Sequence, residues 1–286
     1  QWADNAVLEA FEKQGMIQRA DLGPTIEMTL DYRRNQGSDF LATDLTATSL
    51  TKTEVITAAT YTPAELSVPV VWSKGDDAKN PSENQKVAFV KSLLENGLAS
   101  HDDMIEEALF ATAATDGFNA LITLLPANGH GTVGGTDSSV ETWWRNHQDT
   151  YLADGSDIEA QMTEAWNTVS KGSGSSLSPS LIVSGAEAQA IFESTQTPQL
   201  RFDSQDLKAG FKTLMFKTAL YVFSQYGGTK QYFLNRKAFK LVVSKKYFRD
   251  KGEQSEIQNA NGYVFKIYSA LQFCTNAKKR GAHLQQ

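Results

Sequence analysis

The chain is poor in the residues that build most catalytic and metal centres. Cys274 is its only cysteine, so no intrachain disulfide can form and a cysteine-based zinc site is excluded. There are four histidines: His101, His130, His147 and His283. They are widely separated and show no H-x-x-x-H spacing, which argues against a histidine-based zinc site. No stretch approaches the roughly 18 consecutive apolar residues that cross a bilayer, and no basic-then-apolar signal pattern opens the chain. No Asn-x-Ser/Thr acceptor with a permissive middle residue occurs, which fits a protein that is not exported. A basic stripe is missing too. The formal charge is −6, whereas a dedicated nucleic-acid reader carries clustered cations. The sequence starts at Gln1 rather than Met, and two readings stay open: an upstream segment removed by maturation, or one that lies outside this sequence.

The 286 residues are 41% hydrophobic and 21% charged, enough for one large domain or two intertwined ones with a real core. Val7, Leu8 and Phe11 fall at helical spacing ahead of the Leu22-Gly23-Pro24 break. Residues 25–73 alternate like strands, from Thr25–Tyr32 through a Thr-rich stretch (Thr43 to Thr62) to Leu66–Trp72. The pattern predicts a long two-stranded excursion with a polar tip. A hairpin of that kind is marginal alone and needs another chain to lie on.

Residues 82–114 carry the longest helical signal, with Val87, Val90, Leu94, Leu98, Ile105, Leu109 and Ala113 on one face. Gly97 interrupts it at a cost of about 1 kcal/mol relative to Ala. Ser100 is placed to cap a second helix, so one long helix and two abutting ones both stay open. Ser156 and Glu159 form a capping-box pattern ahead of an apolar stripe at Ile158, Met162, Ala165, Trp166 and Val169. A short strand at 180–184 and a helix at 186–193 follow. Strands are expected at 214–224, 231–234, 239–243 and 263–273. The fold class is α+β, without the βαβ alternation of a doubly wound nucleotide-binding fold.

Candidate chemistry is sparse. His101-Asp102-Asp103 places a base beside two carboxylates, but consecutive helix residues diverge by about 100°. The plainer reading is a solvated helix turn. Gly129-His130-Gly131-Thr132-Val133-Gly134-Gly135 imitates a phosphate-cradling loop, yet no P-loop lysine follows and no clear helix opens after it. A flexible surface loop is the better reading. Ser and Asp are abundant enough for a Ser–His–Asp triad, but no G-x-S-x-G elbow marks a nucleophile. Asp76, Asp77 and Asp116 lack the twelve-residue calcium-loop pattern. Lys245-Lys246 and Lys278-Lys279-Arg280 are the basic runs, by default a solvated face. The adjacent Trp143 and Trp144 cannot both pack on one face, so one is expected inside and the other against a second surface.

Several stretches resemble one branch of tailed-phage major capsid proteins. They are Thr142-Trp143-Trp144-Arg145, Leu181-Ile182-Val183-Ser184, Ala190-Ile191-Phe192-Glu193, Gln199-Leu200-Arg201-Phe202, Ala209 to Lys217, Tyr232-Phe233-Leu234-Asn235 and Cys274 to Arg280. They run in order through roughly residues 80–284, and the hairpin does not align. The resemblance implies a Hong Kong 97-like phage capsid fold with an N-terminal arm (1–24) and an extended β-hairpin, or E-loop (25–75). A peripheral domain with the long spine helix (76–115) would follow, then an axial domain (116–224) and return strands of the peripheral domain (225–286).

It implies a major capsid protein and not an enzyme, without metal or cofactor. Such a subunit self-assembles as hexamers and pentamers around double-stranded DNA that it contacts non-specifically. Its further partners would be a portal, a scaffold or maturation protease, and a decoration protein. It would not meet a membrane, and it would reside in the virion after assembly in the bacterial cytoplasm. Assembly contacts are expected at Thr43, Thr46, Lys52 and Thr53 in the hairpin, and at Trp143, Trp144, Arg145, Arg201 and Phe202. The alternatives are the shell of a cellular nanocompartment with the same fold, or a hydrolase using His101 or the 129–135 loop.

Overall fold

A computed structural model describes residues 5–34, 52–80, 82–172, 176–195, 214–258 and 260–286. Helix α1 (Ala6–Lys13) buries Val7, Leu8 and Phe11 as their spacing requires, and β1 (Ile17–Ala20) follows it. Strands β2 (Ile26–Asp31) and β3 (Ile56–Tyr61) pair antiparallel, from Ile26 opposite Tyr61 to Asp31 opposite Ile56. This is the root of the expected hairpin; its tip, with Thr43 and Thr46, lies outside the described residues.

The third piece assigned to that hairpin does something else. Leu66–Trp72 belongs to β4 (Ala64–Ser73). It pairs over ten residues with a distant strand, Gly262 opposite Ser73 through Leu271 opposite Ala64. Alternation alone specifies a half-buried strand but not its partner. Here Val68, Val70 and Trp72 form a cluster with Phe265 and Ile267, covered by Phe89, Val90, Leu93, Leu94 and Leu98.

Those covering residues come from the spine. After the short α2 (Lys74–Lys79), α3 (Glu83–Phe110) is one unbroken helix of 28 residues with a Ser82–Gln85 capping box. It spans about 42 Å at 1.5 Å per residue. Ser100 caps nothing; its hydroxyl bonds back to the Asn96 carbonyl at 2.9 Å. Val87, placed on the apolar face by spacing, is 65% exposed, because the helix outruns the sheet at its start. Gly97 has a positive reason to be there. A Cβ at this position would stand 2.6 Å from Val70 Cγ2 and 3.0 Å from Ile267 Cδ1.

The rest of the chain completes this first sheet and builds a second. In order come α4 (Leu121–Leu124), β5 (Thr132–Val133), β6 (Thr136–Asp137), β7 (His147–Thr150), α5 (Ile158–Val169), β8 (Leu181–Gly185) and α6 (Ala186–Thr195). Then follow β9 (Leu214–Phe216), β10 (Ala219–Ser224), β11 (Gln231–Leu234), β12 (Phe239–Ser244), β13 (Asp250–Lys251), β14 (Ser255–Glu256), β15 (Gly262–Thr275) and β16 (Ala282–Gln285). The first sheet runs β1-β12-β15-β13, with β4 and β14 also on β15. The second runs β7-β16-β11-β8-β10-β9, and α5 and α6 cover it through Ile158, Met162, Ala165, Trp166, Val169 and Phe192.

The structure corrects four expectations. Residues 225–286 do not all return to the spine. β11 and β16 sit in the second sheet, and every residue of β11 is buried between β8 and β16, as a central strand covered on both faces must be. The single strand expected at 214–224 is a tight hairpin of β9 and β10, turned at Lys217 with φ +52°. Parallel pairing with an intervening helix does occur, since β10 lies parallel to β8 after α6; β1 with β12 and β7 with β16 are parallel too. The Ser156–Glu159 box does not form. Ser156 donates to Asp154 Oδ1 at 2.9 Å, and Asp157 precedes the helix with its carboxylate on the Leu152 amide.

Candidate functional site

The 129–135 segment is neither a phosphate cradle nor a loose loop. Thr132-Val133 and Thr136-Asp137 pair around Gly134-Gly135, whose φ values of +61° and +81° suit a tight two-residue hairpin. The turn docks on β3, where the Thr60 amide donates to the Gly134 carbonyl at 3.1 Å. A Cβ on Gly134 would meet Ala59 at 2.5 Å.

The tryptophan pair anchors the same region. Residues Thr142–Trp144 form one 3-10 turn, in which the two rings stay in tilted contact, centres 5.5 Å apart, yet meet different surroundings. Trp144 is buried and donates through Nε1 to the Val133 carbonyl at 3.1 Å. Trp143 stacks on Tyr32 with ring centres 4.6 Å apart and donates to Glu141 Oε2. The second surface that Trp143 meets is therefore the chain's own hairpin root. Arg145 donates from Nε to the Ser138 carbonyl and from a terminal nitrogen to the Ser139 carbonyl, both at 2.9 Å. Lys52 is exposed and Thr53 half-buried just ahead of β3. Arg201 and Phe202 lie outside the described residues.

The basic run 278–280 is not simply a solvated face. Lys278 has no exposed surface, and its Nζ sits 3.1 Å from Ser138 Oγ. Burial pulls its amine down to about 8, opposed by the attraction of Asp137. Arg280 donates to the Val169 carbonyl at the end of α5 at 3.0 Å.

His101-Asp102-Asp103 proves more connected than helix geometry alone suggests. His101 is fully buried, its Nδ1 3.0 Å from Asp102 Oδ1 and its Nε2 2.7 Å from Ser269 Oγ on β15. The order Ser269–His101–Asp102 imitates a catalytic triad, and neither Ser269 nor Arg249 was singled out by sequence. The surroundings differ from those of a nucleophile. Ser269 also has no exposed surface, and its Oγ accepts the backbone N–H of Arg249 at 2.8 Å. Asp102 takes the Arg249 guanidinium in two bonds. Asp103 turns away and accepts the Tyr226 hydroxyl at 3.0 Å. Neither His101 nor Ser269 lines the apolar cleft of about 520 Å³ that opens further along the helix beside Met104 and Phe110. A substrate has no route to this serine by that cleft. The arrangement clamps the spine helix to β15.

A second buried acid joins the spine to α1. Glu106 accepts the Val7 amide at 3.3 Å, which supplies the helix start that Asn5 leaves uncapped. Burial raises this carboxyl above its ordinary value, while bonds from Ser224, Val7 and Leu8 oppose the rise. Among the described residues no group of three His, Cys, Asp or Glu is placed to hold a metal, and no helix is long and apolar enough to cross a membrane.

The two-sheet architecture with its long α3 and its β2–β3 pair has solved counterparts. No protein-family model matches the chain, and no curated protein matches it. Against solved structures, the chain superposes over 94% of its length on 90% of the capsid subunit of cyanophage A-1(L), at 14% identity and a TM-score of 0.62. It covers 91% of the capsid subunit of the native GTA particle with all of its own length, at 12% identity and a TM-score of 0.65. The fold is that of a phage capsid subunit. The same fold also forms the shell of the holo-SrpI encapsulin complex of Synechococcus elongatus PCC 7942, which the chain matches at 11% identity and a TM-score of 0.58, over 95% of its length and 85% of that chain.

Proposed function

We propose that this protein is a major capsid protein. Its copies assemble as hexamers and pentamers into the closed icosahedral head of a tailed phage, around double-stranded DNA. The observation that carries the reading is the two-way coverage of the fold. Nearly the whole chain superposes on nearly the whole of two particle-forming capsid subunits. The placement of chemistry supports it. The His101–Asp102–Ser269 constellation holds the spine, and exposed apolar side chains at Ile56, Val71, Val87 and Val140 suit burial between copies. Repeated heterologous contacts of modest size add up to a stable shell.

In this reading β2–β3 and the residues between them form the extended hairpin. Sheet one with α3 forms the peripheral domain, and sheet two with α5 and α6 the axial domain. A portal, a scaffold or maturation protease, and a decoration protein complete the particle in the bacterial cytoplasm. The encapsulin match favours a second reading, a cellular protein-cargo shell. Particles purified from expressing cells separate the two through their contents. Nuclease-protected DNA, packaged when phage packaging functions are supplied, supports the phage head; co-purifying protein cargo without DNA supports the compartment.

A further inference from the structure

At the root of the hairpin a cleft of about 570 Å³ opens between the end of β2, the turn after α5, the β11–β12 turn and the segment before Arg280. Its cations arrive from four separate stretches of chain: Arg33 and Arg34, Lys171, Lys237, and Arg280. Among the described residues Asp31 is the one carboxylate in the lining, so the described lining holds four more cationic than anionic side chains, in a chain whose net charge is −6. Arg33 lies over the Tyr32 ring at 5.5 Å, in the same stack that Tyr32 makes with Trp143. Arg280 is held by the Val169 carbonyl. Lys171 and Lys237 are exposed at the rim.

The opposite charge is concentrated elsewhere on the same subunit. Between Arg145 and Lys171 there is no Lys or Arg, but there are five acids: Asp149, Asp154, Asp157, Glu159 and Glu164. Asp154, Glu159 and Glu164 are exposed, and Leu152 beside them is 57% exposed. Most of these acids flank the start of α5, whereas Lys171 follows its end. A helix of 12 residues holds its ends about 18 Å apart, more than a Debye length at physiological salt, about 8 Å. Each pole suits the helix dipole locally, but the acidic end cannot reach back to fill its own basic cleft. Two copies arranged head to tail can bring the poles together.

We infer that the cationic cleft seats the acidic 149–159 segment of a second copy of this chain. The contact is heterologous, repeats around a ring and closes it. A DNA duplex is the poorer occupant. It presents a charge every ~1.7 Å along a broad surface and calls for a basic stripe, whereas these cations converge on one recess. The inference rests on the shell reading and adds where the copies touch.

The test uses charge reversal in the full chain. One variant carries Lys171→Glu with Lys237→Glu, a second carries Asp154→Lys with Glu159→Lys, and a third carries all four. Circular dichroism confirms that each is folded. The first two should shift the concentration needed for assembly upward by roughly tenfold or more, and the third should recover most of the loss, as complementary charges fix the register of a contact. Carbodiimide should join Lys171 or Lys237 of one copy to an acid of 149–159 in another, as read by mass spectrometry. Closed particles without that cross-link, or reversed variants that assemble like the parent, overturn this contact and leave the shell reading intact. The cross-link found in open oligomers that never close keeps the contact and sinks the shell reading. If cleft reversal abolishes retention of duplex DNA and leaves assembly unchanged, the cleft is a phosphate site and the inference is wrong.

Discussion

Arg249 closes on Asp102 with two nitrogen–oxygen bonds, Nε at 3.0 Å and a terminal nitrogen at 2.8 Å. Asp102 in turn holds His101, and His101 holds Ser269. The pair joins the middle of the spine helix to the segment between β12 and β15 across 147 residues of chain. Since Arg249 has φ +54°, this geometry also stabilises a backbone conformation that non-glycine residues rarely adopt.

Replacing Ser269 by Ala leaves both the His101 ring nitrogen and the Arg249 amide without their partner in a sealed site. We expect a loss of about 2 kcal/mol in urea unfolding, with Asp102→Asn costing a similar amount. Ester hydrolysis by the parent and by Ser269→Ala should be equally absent. Turnover by the parent that disappears in the variant would show a nucleophile instead of a clamp.

Gly97→Ala tests the approach of the spine to the sheet. Helix propensity alone favours Ala by about 1 kcal/mol, yet the added methyl would stand 2.6 Å from Val70. Overpacking should win, with net destabilisation of about 1–3 kcal/mol and a lowered Tm. A rise in Tm would mean that the helix stands further from β4 than described.

Lys278 gives a pH dependence whose sign follows from its burial. Its folded value of about 8 lies below the ordinary 10.5. Between these values the unfolded chain holds a proton that the folded chain lacks, so the Lys278 contribution to stability rises as pH climbs through that window. The gain is on the order of 3 kcal/mol at most. Lys278→Met should flatten this part of the curve, as measured by denaturant midpoints across alkaline pH.

His283 works at the acid end. Stacked on Tyr232 at 4.7 Å, its ring is pushed down by burial to about 4, from 6.5. The unfolded chain binds the proton first, so stability falls as pH drops from about 6.5 towards 4. Glu106, raised by burial, acts in the opposite sense, because its protonated form is the better tolerated one. His283→Phe should remove the acid-side loss attributable to the ring, and a variant with an unchanged slope would place the titrating group elsewhere.

Much of this fold is legible in the residues themselves. The periodicity of Val7, Leu8 and Phe11, the stripe of α5 and the apolar run of β8 each report their own burial. Partners are less legible. Leu66–Trp72 alternates as any hairpin strand does, and only the distant β15 makes it part of the spine sheet. Gly97 reads as a defect until Val70 and Ile267 are seen against it. That Trp143 and Trp144 meet different surroundings follows from adjacency, but that Tyr32 is the second surface does not. His101-Asp102 attracts notice by composition, whereas Arg249 and Ser269 are 147 and 168 residues away from their partners and leave no local signal. The cationic cleft is equally hidden, since its cations come from four segments far apart in the chain.

The central claim is that copies of this chain close into a shell. The most direct measurement is electron microscopy of the purified full chain together with light scattering over a range of concentrations and salt. Closed particles tens of nanometres across, or hexamers and pentamers that convert into them, are the expected result. A monodisperse monomer or dimer under every condition, a supplied scaffold protein included, would contradict the account.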